Sequence, residues 1–478
     1  MNKNHLLFLA AFVLLFFLAG FIPSGQFSAA PGLTDTTPIT IKAKDYNGKT
    51  IQSSSGVISF ISALDNDFYL IDSVNRQGYL YLEIRAGKLV QAQSNKVPVN
   101  LSIVIDRSSS MRGEKMEFAI KAAKEIVDKL TERDFVSIVA YDDEADIIQP
   151  AVQVINKKGI KQKIEEILPR GSTNLWGGSE IGYYQVLKKY KPGFINRVLV
   201  ISDGLANRGI TSASAIKMHV QRFKNEEGVS LSTFGVGLDY NEILMTEMAE
   251  VGEGNYYFID APDKMAVLFD RELKELKSVT ALNAELSVQL PREVTIQKAY
   301  HLKYEANKSA ISIQFRDLFS GETKGILLAF RINDAATAAL RFVSTIRYTD
   351  VVSGQKKSIV NENLLHPVTI TDTFLTHFNR SVAEQTVLFT ANENLEKAML
   401  EADKGNFEKA FQTLNANKTF LKHNELYVKA YTPLQQMDSV NNAYFTNLAK
   451  VKEMGNDSIK LLQKSSRAEA YKIRNKKH

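Results

Sequence analysis

Five residues in three short stretches carry the chemistry that this sequence is equipped to do. Asp106, Ser108 and Ser110 lie in "SIVIDRSSSM", Thr173 lies in "RGSTNLW", and Asp203 lies in "VLVISDGLANRG". All five side chains end in oxygen. Oxygen-only donors suit a hard cation, Mg²⁺ or else Mn²⁺ or Ca²⁺, and do not suit zinc. Two carboxylates neutralise a divalent ion formally, and the remaining donors would be neutral hydroxyls or water. An ion held this way stays electrophilic, with room for one more acidic oxygen, which is expected from a protein partner presenting a carboxylate. The plainer reading is that Asp at a strand end and Ser or Thr on a loop are common turn formers and helix caps. Thr173 alone reads as a cap; the five together, on three matching loops, read as a metal site.

These residues meet only if the chain brings their loops to one edge. Between Val97 and about Val279 short apolar runs ("LSIVID", "FVSIVAYD", "NRVLVISDG", "VSLSTFGVG", "NYYFID") alternate with helical stretches such as "GEKMEFAIKAAKEIVDKL". Strands apolar on both faces and separated by helices predict a mostly parallel sheet covered on both sides. In such open sheets ligands bind outside the carboxyl ends of the strands. Asp106 and Asp203 each end a strand, and Thr173 sits on a loop just before a helix.

At these residues the sequence resembles a known family. Asp106, Ser108 and Ser110 match the DxSxS motif of the von Willebrand factor A domain, and Thr173 and Asp203 match the other two positions of its metal-ion-dependent adhesion site. "GSTNL" and "SDGLANRG" also look like the corresponding stretches of bacterial exported members. The resemblance covers roughly Val97 to Val279. It implies a doubly wound sheet and a Mg²⁺-type ion contacted by Ser108, Ser110 and sometimes Thr173, with the two aspartates often acting through water. One departure is Ser109, where many bacterial members have glycine, which puts the geometry of that turn in question. Trp176 is the only tryptophan. It is either an aromatic rim to the ligand face or the first buried residue of the next helix, and burial is favoured.

The flanks are β-like. From Thr37 to about Gln93, "ITIKAKDYNGKTIQ" predicts two alternating stretches about an Asn-Gly turn, and "FYLIDS" and "GYLYLEIRAG" predict strands. From about Ala284 to Thr371, "SAISIQFRDLFSGETKGILLAFRIND" and "LRFVSTIRYTDVVSGQKKSIVNE" predict hairpins turned at Ser-Gly. Neither block is long enough for a sandwich alone, so the two are expected to pack as one β-sandwich that the middle of the chain interrupts. Beyond Thr373 helical spacing runs to the end, broken at "DKGN", and predicts a hairpin or small bundle packed on the sandwich.

The expected fold class is therefore α/β: a doubly wound, mostly parallel sheet (97–279) inserted in a β-sandwich (31–96 and 280–372), with a C-terminal α-helical region (373–478). Residues 1–30 form a signal peptide or membrane anchor, because Leu6 to Ile22 is an unbroken apolar run of 17 residues. Export to the periplasm or cell envelope is the expectation, with membrane anchoring through residues 6–22 if the segment is retained.

Charge and composition exclude other classes. The net charge of +6 is concentrated in Val451 to His478, which holds 8 Lys/Arg against 3 Asp/Glu. The body is balanced, so no nucleic-acid partner is expected, and "YKIRNKKH" reads as a solvated, frayed end. Cysteine is absent, which rules out disulfides and thiolate chemistry. The acidic "YDDEAD" lacks the spacing of a Ca²⁺ loop and reads as a solvated turn. No zinc-protease, phosphate-loop or nucleophile-elbow motif occurs, so the chain is expected to be a binding protein and not an enzyme. A structural envelope subunit whose metal only stabilises the fold is the first alternative, and a metal-assisted hydrolase the second.

Overall fold

A computed structural model describes residues 45–73, 76–88, 97–276, 278–300, 305–306, 309–333, 336–449 and 456–474. The apolar run at 6–22 lies outside them. No described helix is long and apolar enough to cross a membrane.

The middle of the chain forms a six-stranded sheet from β5 (Val99–Asp106), β6 (Phe135–Tyr141), β7 (Ala145–Gln153), β8 (Ile195–Ser202), β9 (Ser230–Val236) and β10 (Glu253–Ile259). Their order is β10-β9-β8-β5-β6-β7, and every pairing is parallel except β6 with β7. All eight residues of β5 are buried, because helices cover both faces. These are α1 (Glu114–Lys129), α2 (Lys157–Glu165), α3 (Leu175–Lys188), α4 (Ala213–Glu227), α5 (Glu242–Val251) and α6 (Met265–Leu276).

Alternate residues of β5 face separate cores. Leu101, Ile103 and Ile105 pack with Ala119, Ala122, Ala123 and Ile126 of α1 on one side, whereas Val104 packs with Trp176 and Tyr183 of α3 on the other. Each of the leucine, isoleucine and valine side chains stabilises the fold by about 1.5–3 kcal/mol when fully buried. Helix α3 lies very close to the sheet: a Cβ on Gly182 would fall 2.5 Å from Val104 Cγ2. Trp176 is 3% exposed and stacks on His219, so it is a core residue of α3 and not a rim.

The flanking blocks form two sheets around one core. The first block supplies β1 (Thr50–Ser55), β2 (Ile58–Leu64), β3 (Phe68–Leu70) and β4 (Gln77–Ala86). The second supplies β11 (Val279–Gln289), β12 (Val294–Ala299), β13 (Glu305–Ala306), β14 (Ala310–Phe319), β15 (Thr323–Ile332), β16 (Leu340–Asp350) and β17 (Lys356–Val368). One sheet runs β1-β2-β4-β15-β12 and the other β13-β14-β11-β16-β17-β3, so each mixes strands from both blocks. Phe60 and Leu82 of the first block share a core with Leu286, Ile326 and Phe342 of the second.

One local expectation changes. The Ser-Gly turn at 320–321 does not close a hairpin within one sheet, because β14 pairs with β11 and β15 pairs with β4 and β12; it is a corner between the sheets. The β16–β17 pair is a hairpin as expected. The Asn47-Gly48 stretch docks on the segment after β17, its two N–H groups donating to the Thr376 and Phe378 carbonyls, while the strand expected before it, 39–44, lies outside the described residues.

Helices α7 (Thr371–Thr376), α8 (Arg380–Asp403), α9 (Phe407–His423), α10 (Glu425–Ala430), α11 (Thr432–Ala449) and α12 (Asn456–Arg474) complete the chain. Helix α8 packs Val382 and Phe389 on Tyr81 and Leu327 of the sandwich. Of the terminal "YKIRNKKH", residues 471–474 continue helix α12 with Tyr471 buried and are not frayed, while 475–478 lie outside the described residues. In α12, Arg467 donates to Glu242 at 2.9 Å, Lys464 to the Tyr240 carbonyl at 3.0 Å, and Lys460 to Asp239 at 2.7 Å, while Tyr471 meets Tyr256 edge to face. The last helix of the chain thus docks on the inserted domain.

Candidate metal centre

Parallel pairing of β5 with β8 brings Asp106 and Asp203 to the same edge, each at the carboxyl end of its strand. Backbone bonds then stitch the loops together. Ser109 N–H donates to the Gly171 carbonyl at 3.1 Å and Arg170 N–H to the Arg107 carbonyl at 2.6 Å, fixing the first loop to the second. Asn207 N–H donates to the Thr173 carbonyl at 3.1 Å, and Asn207 Oδ1 accepts from Thr173 N–H at 2.9 Å, fixing the second loop to the third. Gly171 has φ +68°, and a Cβ there would strike Asp143 and Asp142. That approach calls for glycine on both counts.

Hydrogen bonds link four of the predicted side chains, those of Asp106, Ser108, Ser110 and Asp203, and Thr173 stands on the adjoining loop. Asp106 is 0% exposed; its Oδ1 accepts from Ser108 N–H at 2.8 Å and its Oδ2 from Ser202 Oγ at 2.7 Å. Ser108 Oγ and Ser110 Oγ lie 3.0 Å apart, and Ser110 Oγ donates to Asp203 Oδ1 at 2.8 Å. Asp203 is also 0% exposed. Thr173 stands against Gly204, where an added Cβ would fall 2.9 Å from Thr173 Oγ1. The cap of α3 is Asn174, whose side chain accepts from Gly177 N–H at 3.0 Å. The Thr173 hydroxyl is therefore not spent on capping.

Ser109 fits the turn without strain. It opens a short 3-10 helix, Ser109–Met111, and the described non-glycine residues with positive φ are Glu253 and Asn283 alone. The turn needs its glycine at Gly113, with φ +81°.

Burial pushes the Asp106 carboxyl up to about 6, against the opposing pull of its bonds to Ser108 and Ser202, and the Asp203 charge adds to the rise. The cation facing the pair is Lys115, whose Nζ donates to Asp203 Oδ2 at 2.6 Å. The donors fit a hard divalent ion. For octahedral coordination at 2.0–2.1 Å, adjacent ligand oxygens stand about 3.0 Å apart, as Ser108 Oγ and Ser110 Oγ do. Among the described residues no group of three or more His, Cys, Asp and Glu gathers at one point, as expected where hydroxyls supply most of the donors.

Sequence reasoning passed over several residues here. Asn207 and Ser202 hold the loop and Asp106, and each lies within a stretch already singled out. Lys115 sits in the first turn of α1, in "GEKMEF". "YDDEAD" is a turn with Asp143 and Glu144 exposed, as expected, but Asp142 is buried and accepts from Arg107 Nε at 2.8 Å and Arg170 Nε at 2.6 Å. Burial works to raise that carboxyl, but the bonds from Arg170, Glu144 N–H and Arg107 outweigh it and hold it low.

Residues 100–271 match the model of the von Willebrand factor type A domain. The protein YfbK of Escherichia coli is 34% identical over 200 residues, covering 41% of this chain and 35% of that protein. The protein sll0103 of Synechocystis is 24% identical over 269 residues, covering 56% of this chain and 61% of its own. The chain thus spans less than two thirds of the length of either relative. A von Willebrand factor type A protein from Catenulispora acidiphila superposes with a TM-score of 0.65 at 14% identity, over 82% of this chain and 92% of that one. It shares the α/β fold together with its additional regions.

Proposed function

We propose that the von Willebrand factor type A domain at residues 100–271 holds a divalent cation, Mg²⁺ or else Mn²⁺ or Ca²⁺, and through it captures an acidic group on a protein partner. Asp106, Ser108, Ser110, Thr173 and Asp203 are the residues that would hold the ion. One observation carries the reading: two fully buried carboxylates share a pocket of hydroxyls, and the ion pair among the described residues that compensates them is with the partly exposed Lys115 ammonium. Buried carboxylates without matching positive charge are costly, and a divalent ion would supply the deficit.

The chain's own residues prepare the site. Ser202 and the Ser108 amide fix both Asp106 oxygens, so the carboxylate is oriented before anything binds. Ser108, Ser110 and Thr173 offer neutral oxygens, which leave net positive charge on what they bind. An ion held there supplies a Lewis-acidic position for a partner's carboxylate oxygen. Leu205, two residues past Asp203 and 56% exposed, gives that partner an apolar side chain to bury. The reading is of an adhesion-like binding module of the cell envelope, not of an enzyme, exported and anchored or released according to the fate of residues 6–22.

Isothermal titration of Mg²⁺ tests the site. One ion per chain is expected, with the heat lost in Asp106→Ala. A folded wild type that binds no ion at millimolar Mg²⁺ would remove the basis for the function. The partner step is tested by immobilising the chain and asking whether a bound protein is retained in Mg²⁺, eluted by chelator and lost in Ser110→Ala.

A further inference from the structure

Asp203 already holds a cation of the protein's own. Lys115 Nζ stands 2.6 Å from Oδ2 and 3.4 Å from the Ser110 carbonyl, while Oδ1 accepts from Ser110 Oγ at 2.8 Å. Both carboxylate oxygens are therefore engaged, one by a hydroxyl proposed as an ion ligand and the other by an ammonium. The two partners differ in depth: the Asp203 side chain is 0% exposed and that of Lys115 is 27% exposed. The lysine reaches in from solvent on a flexible stem that passes over Gly237, where a Cβ would lie 3.4 Å from Lys115 Cε. It can withdraw without disturbing the fold.

We propose that Lys115 is a tethered competitor of the divalent ion, its ammonium bound to Asp203 until the ion displaces it. This rests on the metal-site reading above. An ammonium beside a divalent cation is repelled, so both cannot keep their full hold on one carboxylate. The displaced ammonium stays near opposite charge, because it already acts on Asp239, a 69% exposed carboxylate in the loop after β9 that pairs with Lys460 through Oδ1. Lys115 therefore does two things: it relieves the repulsion between Asp106 and Asp203, and it sets the ion affinity below what the five oxygens alone would give.

The test is titration of Mg²⁺ into the full chain carrying Lys115, Lys115→Met, Lys115→Gln or Lys115→Arg. Removing the charge in Lys115→Met is expected to tighten Mg²⁺ binding about tenfold or more, with Lys115→Gln intermediate and Lys115→Arg near wild type. Without Mg²⁺ the Met variant should melt below wild type, and the gap should close at saturating Mg²⁺. Should the Met variant fail to fold, the Gln variant decides the matter by the same comparison. Unchanged or weaker binding in the uncharged variants, with normal binding in wild type, overturns this inference alone. Absence of ion binding in wild type and variants alike overturns it together with the metal site.

Discussion

Strand β8 carries a buried charge cluster at each end, and the two are built in opposite ways. Near its start, Arg197 lies 3.0 Å from Glu272, and both are essentially inaccessible. Glu272 also accepts from Ser232 at 2.6 Å, Asn255 at 2.7 Å and Tyr257 at 2.9 Å. Burial works to raise this carboxyl, yet Arg197 and the three donors outweigh it and hold it below the usual range. Just past the other end, Asp203 and Asp106 are as deeply buried, but Asp106 is pushed up to about 6. The same strand thus holds a finished ion pair and an unfinished one. Depth alone does not mark a functional carboxylate; a deficit of compensating charge does.

Breaking the finished cluster should cost the most. Arg197→Met leaves Glu272 buried and unpaired and is expected to destabilise the domain by about 3–5 kcal/mol. Urea unfolding followed by fluorescence of Trp176, which sits in this domain's core, would measure it. Asp203→Ala should change stability by no more than about 1 kcal/mol, because Ser110 and Lys115 can turn to water, while Mg²⁺ affinity falls about 100-fold or more. If Asp203→Ala proved as damaging as Arg197→Met, the contrast between the clusters would collapse.

The interface of α12 with the inserted domain is an intermediate case. Burial pulls Lys464 down to about 8 from its ordinary 10.5, although Glu242 opposes the fall. Between those values the unfolded chain holds a proton that the folded chain has lost, so the Lys464 contribution to stability rises as pH rises from about 8 to 10.5. Lys464→Met should therefore stabilise by about 1–2 kcal/mol at pH 7, with the gain fading by pH 10.5. A gain independent of pH would assign the effect to packing instead.

Smaller changes refine the site. Thr173→Ala should weaken Mg²⁺ binding about tenfold with stability unchanged. Gly204→Ala, which crowds Thr173 Oγ1, should weaken it only a few-fold, roughly 0.5–1 kcal/mol by the same arithmetic. Calorimetry on the pair separates loss of the hydroxyl from its displacement.

Much of this was legible in the sequence because it is local or periodic. Strands such as "LSIVID", apolar at every position, imply a sheet covered on both faces, and an aspartate ending two of them places the site. The antiparallel edge strand β7 was not recognised, since "ADIIQPAVQ" is only half-buried and contains a proline. Asp142 read as solvated because nothing in "YDDEAD" names its partners, Arg107 and Arg170, which fold onto it from separate loops. The anchoring of Tyr471 was hidden for the same reason: it meets Tyr256, and upstream in the same helix Arg467 finds Glu242, each more than two hundred positions away. The turn at Ser320-Gly321 was visible, but no local pattern says that a chain changes sheets there.

The mixed sandwich has a consequence for how the chain acquires its shape. Strand β4 pairs with β15, with Arg85 opposite Thr323, across a separation of roughly 240 residues. Bringing such distant segments together from an unfolded chain carries a large closure entropy. The inserted domain enters at β5 and leaves from α6 into β11, and β5 is already central to its sheet. Once that domain has formed, its two ends serve as a short bridge between the halves of the sandwich. The order of assembly is then from the inside outward, and a lesion in the central sheet would appear first as a sandwich that never closes.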